Sequence, residues 1–163
     1  MSWRVFLCCG AGAALIGCGV VDRATERPGR FRLDRAAPSR GRLLEVSVQA
    51  LFCAADTTLS IVGADRSWSA AIALRTTWPS SDREFTIDSM VRGLGSAAVG
   101  ARPLDDSVGA ALTSLHGTVL LVSDADRVAG TLDLVARDAK GDTVRLAGRF
   151  DAPAATPGGC PAP

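Results

Sequence analysis

Apolar and polar residues alternate with period two over most of the chain after Gly41, the pattern of strands that bury one face. The clearest run is Trp68 to Trp78. Trp68, Ala70, Ile72, Leu74, Thr76 and Trp78 share one face, and Ser69, Arg75 and Thr77 lie opposite. Phe85-Thr86-Ile87-Asp88 is a shorter alternation. Gly117 to Ser123 is a nearly continuous apolar run, which predicts a strand covered on both faces. Further on, Val128, Gly130, Leu132, Leu134 and Ala136 alternate against Thr131, Asp133 and Arg137. After Asp138-Ala139-Lys140-Gly141-Asp142, the set Val144, Leu146, Gly148 and Phe150 alternates against Thr143, Arg145 and Arg149. Two alternating runs around a short turn predict a hairpin. A second turn at Ser123-Asp124-Ala125-Asp126-Arg127 makes the last three strands a meander.

Leu43 to Cys53 fits two periods. Leu44, Val46, Val48, Ala50 and Phe52 alternate, while Leu44, Val48 and Leu51 also suit a helix face; Val46-Ser47-Val48 decides for a strand. Gly100, Gly109, Gly117, Gly130 and Gly148 interrupt the strand patterns, as bends and bulges of a curled sheet do. The expected fold is all-β, an antiparallel sandwich or small barrel of seven to nine strands.

Composition narrows the function classes. The 163 residues are 47% hydrophobic and 21% charged, with a net charge of +1. This suits one folded domain, not a large multi-domain enzyme or a wholly disordered chain. Near-neutrality removes the simple electrostatic case for nucleic-acid binding. Asn and Tyr are absent, and Lys140, Gln49 and His116 are each the sole residue of their type. Arginine is therefore the default cation, and its abundance alone points to no anionic ligand.

The first residues follow different rules. Met1-Ser2-Trp3-Arg4 carries a positive charge, and Val5 to Ile16 is apolar or small without charge. That is the length of a signal-peptide core and short of the roughly 20 residues of a membrane span. Leu15-Ile16-Gly17-Cys18 resembles the lipobox of bacterial lipoproteins. The resemblance implies that residues 1–17 are a cleaved signal peptide and that Cys18 becomes an acylated N-terminus held in the membrane. Several acyl chains on Cys18 would make that anchor stable. Gly19, where Asp would retain a lipoprotein at the inner membrane, implies the outer membrane.

Residues 18–42 then read as a lipidated cysteine with a flexible basic tether. From residue 19 it holds seven arginines against Asp22, Glu26 and Asp34, with Pro28 and Pro38 as breaks. Residues 43–163 read as the β-domain, ending in a Pro/Gly-rich tail. With Cys8 and Cys9 in the leader and Cys18 on lipid, Cys53 and Cys160 remain, and an exported domain would pair them. Free thiols and an intermolecular bridge are the alternatives.

No catalytic, metal or cofactor site is expected. One His and one cystine leave too few zinc ligands. Asp124-x-Asp126 and Asp105-Asp106 lack the spacing of a calcium loop. Ser114 and His116 stand two apart on one strand without a third group. Gly93-Leu94-Gly95-Ser96 breaks the dinucleotide spacing. Trp68 and Trp78 share a face with Ile72 and Leu74 and read as core. The expected function is that of a lipid-anchored cell-envelope lipoprotein whose non-catalytic β-domain binds a ligand or plays a structural part. Its partners would be the membrane, an envelope protein or a small apolar ligand, and not a nucleic acid. The alternatives are a barrel enclosing a small apolar ligand and a carboxylate-based hydrolase.

Overall fold

A computed structural model of the chain describes residues 27–37, 40–79, 83–105, 111–123, 126–153 and 156–157. Ten strands follow in order: β1 Gly29–Ala37, β2 Gly41–Cys53, β3 Thr58–Ala64, β4 Trp68–Arg75, β5 Glu84–Asp88, β6 Ser96–Pro103, β7 Leu112–Ser123, β8 Arg127–Asp138, β9 Thr143–Pro153 and β10 Thr156–Pro157. The sheet order is β1-β9-β8-β7-β5-β6-β4-β3-β2-β10, and β1 also pairs with β2. That last pairing closes nine strands into a barrel. The fold is all-β, and of the two expected architectures it is the barrel. The two-residue β10 lies outside the ring, parallel to the end of β2.

The alternation predicted for β2, β4, β5, β8 and β9 is the alternation between barrel interior and outer wall. Leu44, Val46, Val48, Ala50 and Phe52 of β2 point inward and are buried, as are Trp68, Ala70, Ile72 and Leu74 of β4. Phe31, Phe85, Leu59, Ile61, Ile72 and Leu74 are 0% exposed and pack in one core. Each such side chain contributes roughly 1.5–3 kcal/mol relative to exposure. A barrel of eight or nine strands is just wide enough for such side chains to fill it.

Two expectations are corrected. Residues 29–37 are not tether: they form β1, hydrogen-bonded to β2 on one side and β9 on the other. Phe31 and Leu33 are buried inside, and Arg30, Arg32 and Asp34 face outward, so the segment does alternate. Its short pattern is masked by the arginines and by the flanking Pro28 and Pro38. The stretch from Gly117 to Ser123 is likewise not covered on both faces. Val119 and Leu121 are buried, whereas Leu120 is 49% and Val122 63% exposed.

The reason for the second correction lies in β7 itself. Leu112 and Ser114 point inward; a bulge between Ser114 and His116 inserts Leu115, after which odd-numbered residues point inward. Here β7 also changes neighbour. Its start pairs with β6 through Thr113 and Leu112, and its later part pairs with β5. β5 fills the fork, antiparallel to β7 and parallel to β6. The buried Ser114 hydroxyl holds the fork together: it accepts from Val99 N–H on β6 and donates to the Asp88 carbonyl at the end of β5. Gly117 follows at φ +150, with the space of a Cβ occupied by the Asp133 carbonyl, so only glycine fits.

Candidate functional site

The register of β1, β2, β8 and β9 sets which outward residues meet. Arg30 lies opposite Asp151 on β9 and Ser47 on β2, and Arg32 lies opposite Arg149 and Glu45. Asp151 and Arg149 in turn face Ala129 and Thr131 on β8. Arg127 at the start of β8 and Arg27 just before β1 complete the patch. Together these residues line a groove of about 520 Å³ on the outer wall, with Pro28 and Phe150. Five arginines meet two carboxylates there.

The carboxylates are already committed. Asp151 accepts from Arg127 Nε. Glu45 is shared between Arg30 at 3.5 Å and Arg42 at 3.3 Å. Arg32 turns its Nε to Asp34 at 2.8 Å. Among the described residues Arg149 has no carboxylate partner, and it stands directly across from Arg32. Like charges directly opposite on paired strands are destabilising. The Arg149 guanidinium is thus a cation of the groove without a carboxylate among the described residues, and planar guanidinium forks suit carboxylate or phosphate oxygens.

The wall beside the groove is apolar at one edge. Leu120 faces Thr131, and Val122 faces Ala129. The two exposed apolar residues therefore continue the transverse rows of Arg149 and Asp151. Further from the groove, Arg145 donates to Asp133 through Nε at 3.2 Å and Nη2 at 2.8 Å. That hydrogen-bonded pair holds the Asp133 carboxyl below its ordinary range.

The residues singled out in the sequence are dispersed. Cys18 and Cys160 lie outside the described residues, as do Asp106, Asp124 and Gly109. Cys53 is buried at the end of β2. Ser114 spends its hydroxyl on two backbone groups inside the barrel, and His116 is exposed on the outer wall, so the two do not form a nucleophile and base. Trp68 is buried in the core, and Trp78 packs against it with its ring 6.3 Å from that of Phe52. Among the described residues no three His, Cys, Asp or Glu side chains cluster as a metal site.

A second depression, of about 460 Å³, runs across β3, β4, β6 and β7 over small residues such as Gly63, Ala71 and Gly100, with Arg102 its only charge. The arginine groove is the stronger candidate, and the sequence pattern did not reveal it. Four of the seven arginines assigned to the tether lie on barrel strands, Arg30, Arg32 and Arg35 on β1 and Arg42 on β2, and Arg27 stands just before β1. The period-two pattern of Phe31-Arg32-Leu33-Asp34 was the signal that could have placed them. No protein-family model matches the chain, and no curated protein or solved structure matches it either.

Proposed function

We propose that this chain is a lipid-anchored lipoprotein of the cell envelope, whose barrel acts as a binding or structural module without catalysis. On this reading residues 1–17 are removed, Cys18 is acylated, and the barrel is held at the outer membrane. The Leu15-Ile16-Gly17-Cys18 resemblance motivates the anchor. The structural observation that supports it is the nature and placement of the barrel wall. Arg30, Arg32, Glu45, Asp133, Arg145 and Asp151 all face outward, a surface for water and headgroups; charged residues on a lipid-facing barrel wall are destabilising. The barrel begins close to the anchor: the nine residues from Cys18 to Arg27 reach at most about 32 Å when fully extended.

We infer in addition that Cys53 pairs with Cys160. Thr156 and Pro157 lie beside Leu51 and Phe52, which sets these two residues next to the end of β2, where Cys53 stands. Cys53 is 5% exposed, a position where a bond would be shielded from water.

An apolar ligand inside the barrel is the weaker reading. The side chains of Phe31, Phe85, Ile61, Ile72, Leu134 and Leu146 occupy that space. A carboxylate hydrolase is weaker still, since Asp34, Asp133 and Asp151 are each held by an arginine. Fractionation of expressing cells tests the anchor. The wild-type chain is expected in the envelope membranes and the Cys18→Ser chain with its leader uncleaved and unacylated. An unchanged product after Cys18→Ser would defeat the reading.

A further inference from the structure

We propose that the arginine groove and the exposed apolar outer face of β7 at Leu120 and Val122 form one bilayer-docking face, which takes the phosphate-bearing anionic headgroups of the membrane that holds Cys18. The proposal rests on the lipoprotein reading for its anchor and on the barrel wall for its chemistry.

Three observations converge on this face. The first is charge. Arg27, Arg30, Arg32, Arg127 and Arg149 line the groove together with two carboxylates, Glu45 and Asp151, while Arg32 pairs with Asp34 beside it, and Arg32 and Arg149 are directly opposed. A row of phosphates would relieve that opposition, as basic side chains near an anionic leaflet do. The second is the apolar margin. Leu120, Thr131, Arg149 and Arg32 follow one another across β7, β8, β9 and β1, and Val122, Ala129, Asp151 and Arg30 form the next row. At a strand spacing of about 4.8 Å, Leu120 is roughly 10 Å from Arg149 across the sheet. Exposed apolar side chains that close to a cationic groove match the layering of a membrane interface, with acyl chain and phosphate at neighbouring depths. A free phosphate would gain nothing from Leu120 and Val122. The third is chain entry. An Arg127 guanidinium N–H donates to the Arg27 carbonyl at 3.3 Å, fixing the start of the barrel at this groove. An anchor nine residues upstream is therefore joined to the barrel at this face. Tethering raises the local concentration of headgroups, so weak contacts suffice.

The test uses the mature chain of the lipoprotein reading, residues 18–163 carrying Cys18→Ser, so that neither an acyl chain nor the apolar leader contributes, and cosedimentation with phosphatidylglycerol or phosphatidylcholine vesicles. Phosphatidylglycerol vesicles are expected to bind the chain about tenfold more tightly. Arg149→Glu is expected to remove most of that preference. Arg149 is exposed, so the barrel should persist, with far-ultraviolet circular dichroism as the check. Leu120→Ser with Val122→Ser, also exposed, should weaken phosphatidylglycerol binding several-fold. Equal binding to both vesicles, or a preference that survives Arg149→Glu in a folded chain, overturns the proposal. So does a preference abolished by inorganic phosphate at the concentration of accessible lipid phosphate, which marks a free-phosphate site. The intact mass of the wild-type chain separates the two readings. Acylated Cys18 without a phosphatidylglycerol preference overturns the docking face alone. Unacylated Cys18 with the preference retained overturns the anchor alone and supports the face.

Discussion

Arg149 carries the clearest conflict between stability and binding. It faces Arg32 across β1 and β9 and has no carboxylate partner among the described residues. Arg149→Thr, which suits an outward strand position, is expected to raise stability by a few tenths of a kcal/mol in low salt. Thermal unfolding with and without added salt checks this, and a loss of stability would mean that Arg149 has a structural role. Asp133 offers a second test. Its carboxyl is held low mainly by the hydrogen bond from Arg145. A carboxyl lowered in the folded state stabilises the protein above its unfolded pKa, near 3.9, and that contribution is lost as pH falls through the folded value. Both side chains are more than half exposed, so water screens the pair and it contributes little to stability. In Arg145→Ala the Asp133 titration is expected to move up toward the ordinary carboxylate value, read by carbon-detected NMR. The acid limb of the stability curve should barely move.

Among the elements, β1 is the one whose position changes the account most. If Phe31 fills the barrel, Phe31→Ala should cost about 3–5 kcal/mol, measured by denaturant unfolding. A tether residue would show no loss. β2, β4, β8 and β9 were legible because each sustains the alternation long enough to stand out from chance. β1 was not, because its inward pair Phe31 and Leu33 is embedded in arginines that local sequence treats as solvated charge. β7 was partly legible. Its bulge at Leu115 changes which residues face inward, so Leu120 and Val122 merge with Val119 and Leu121 into one apolar run. The groove was not legible at all, because Arg30 and Arg149 are distant in sequence and only the β1–β9 register joins them. Barrel and sandwich could not be distinguished from the sequence for the same reason. Closure is made by β1 with β2, the pairing that the tether reading removed.

At the scale of the molecule, the proposed reading places a covalent feature at each end of the barrel. The Cys53–Cys160 bond would close a loop of about a hundred residues and stabilise the fold by about 4–5 kcal/mol through the unfolded chain, less any native strain. Alkylation of the denatured, unreduced chain should leave both cysteines unmodified, and alkylation after reduction should modify both. Two labelled thiols at Cys53 and Cys160 before reduction would remove the bond from the account. The other feature is the anchor. The docking face draws on five strands, β1, β2, β7, β8 and β9, and its meaning depends on what holds it near a membrane. The intact mass of the mature chain extracted from envelope membranes tests this most directly. A chain starting at an acylated Cys18 is the expected result; a chain that retains Met1, or begins elsewhere with Cys18 unmodified, contradicts it.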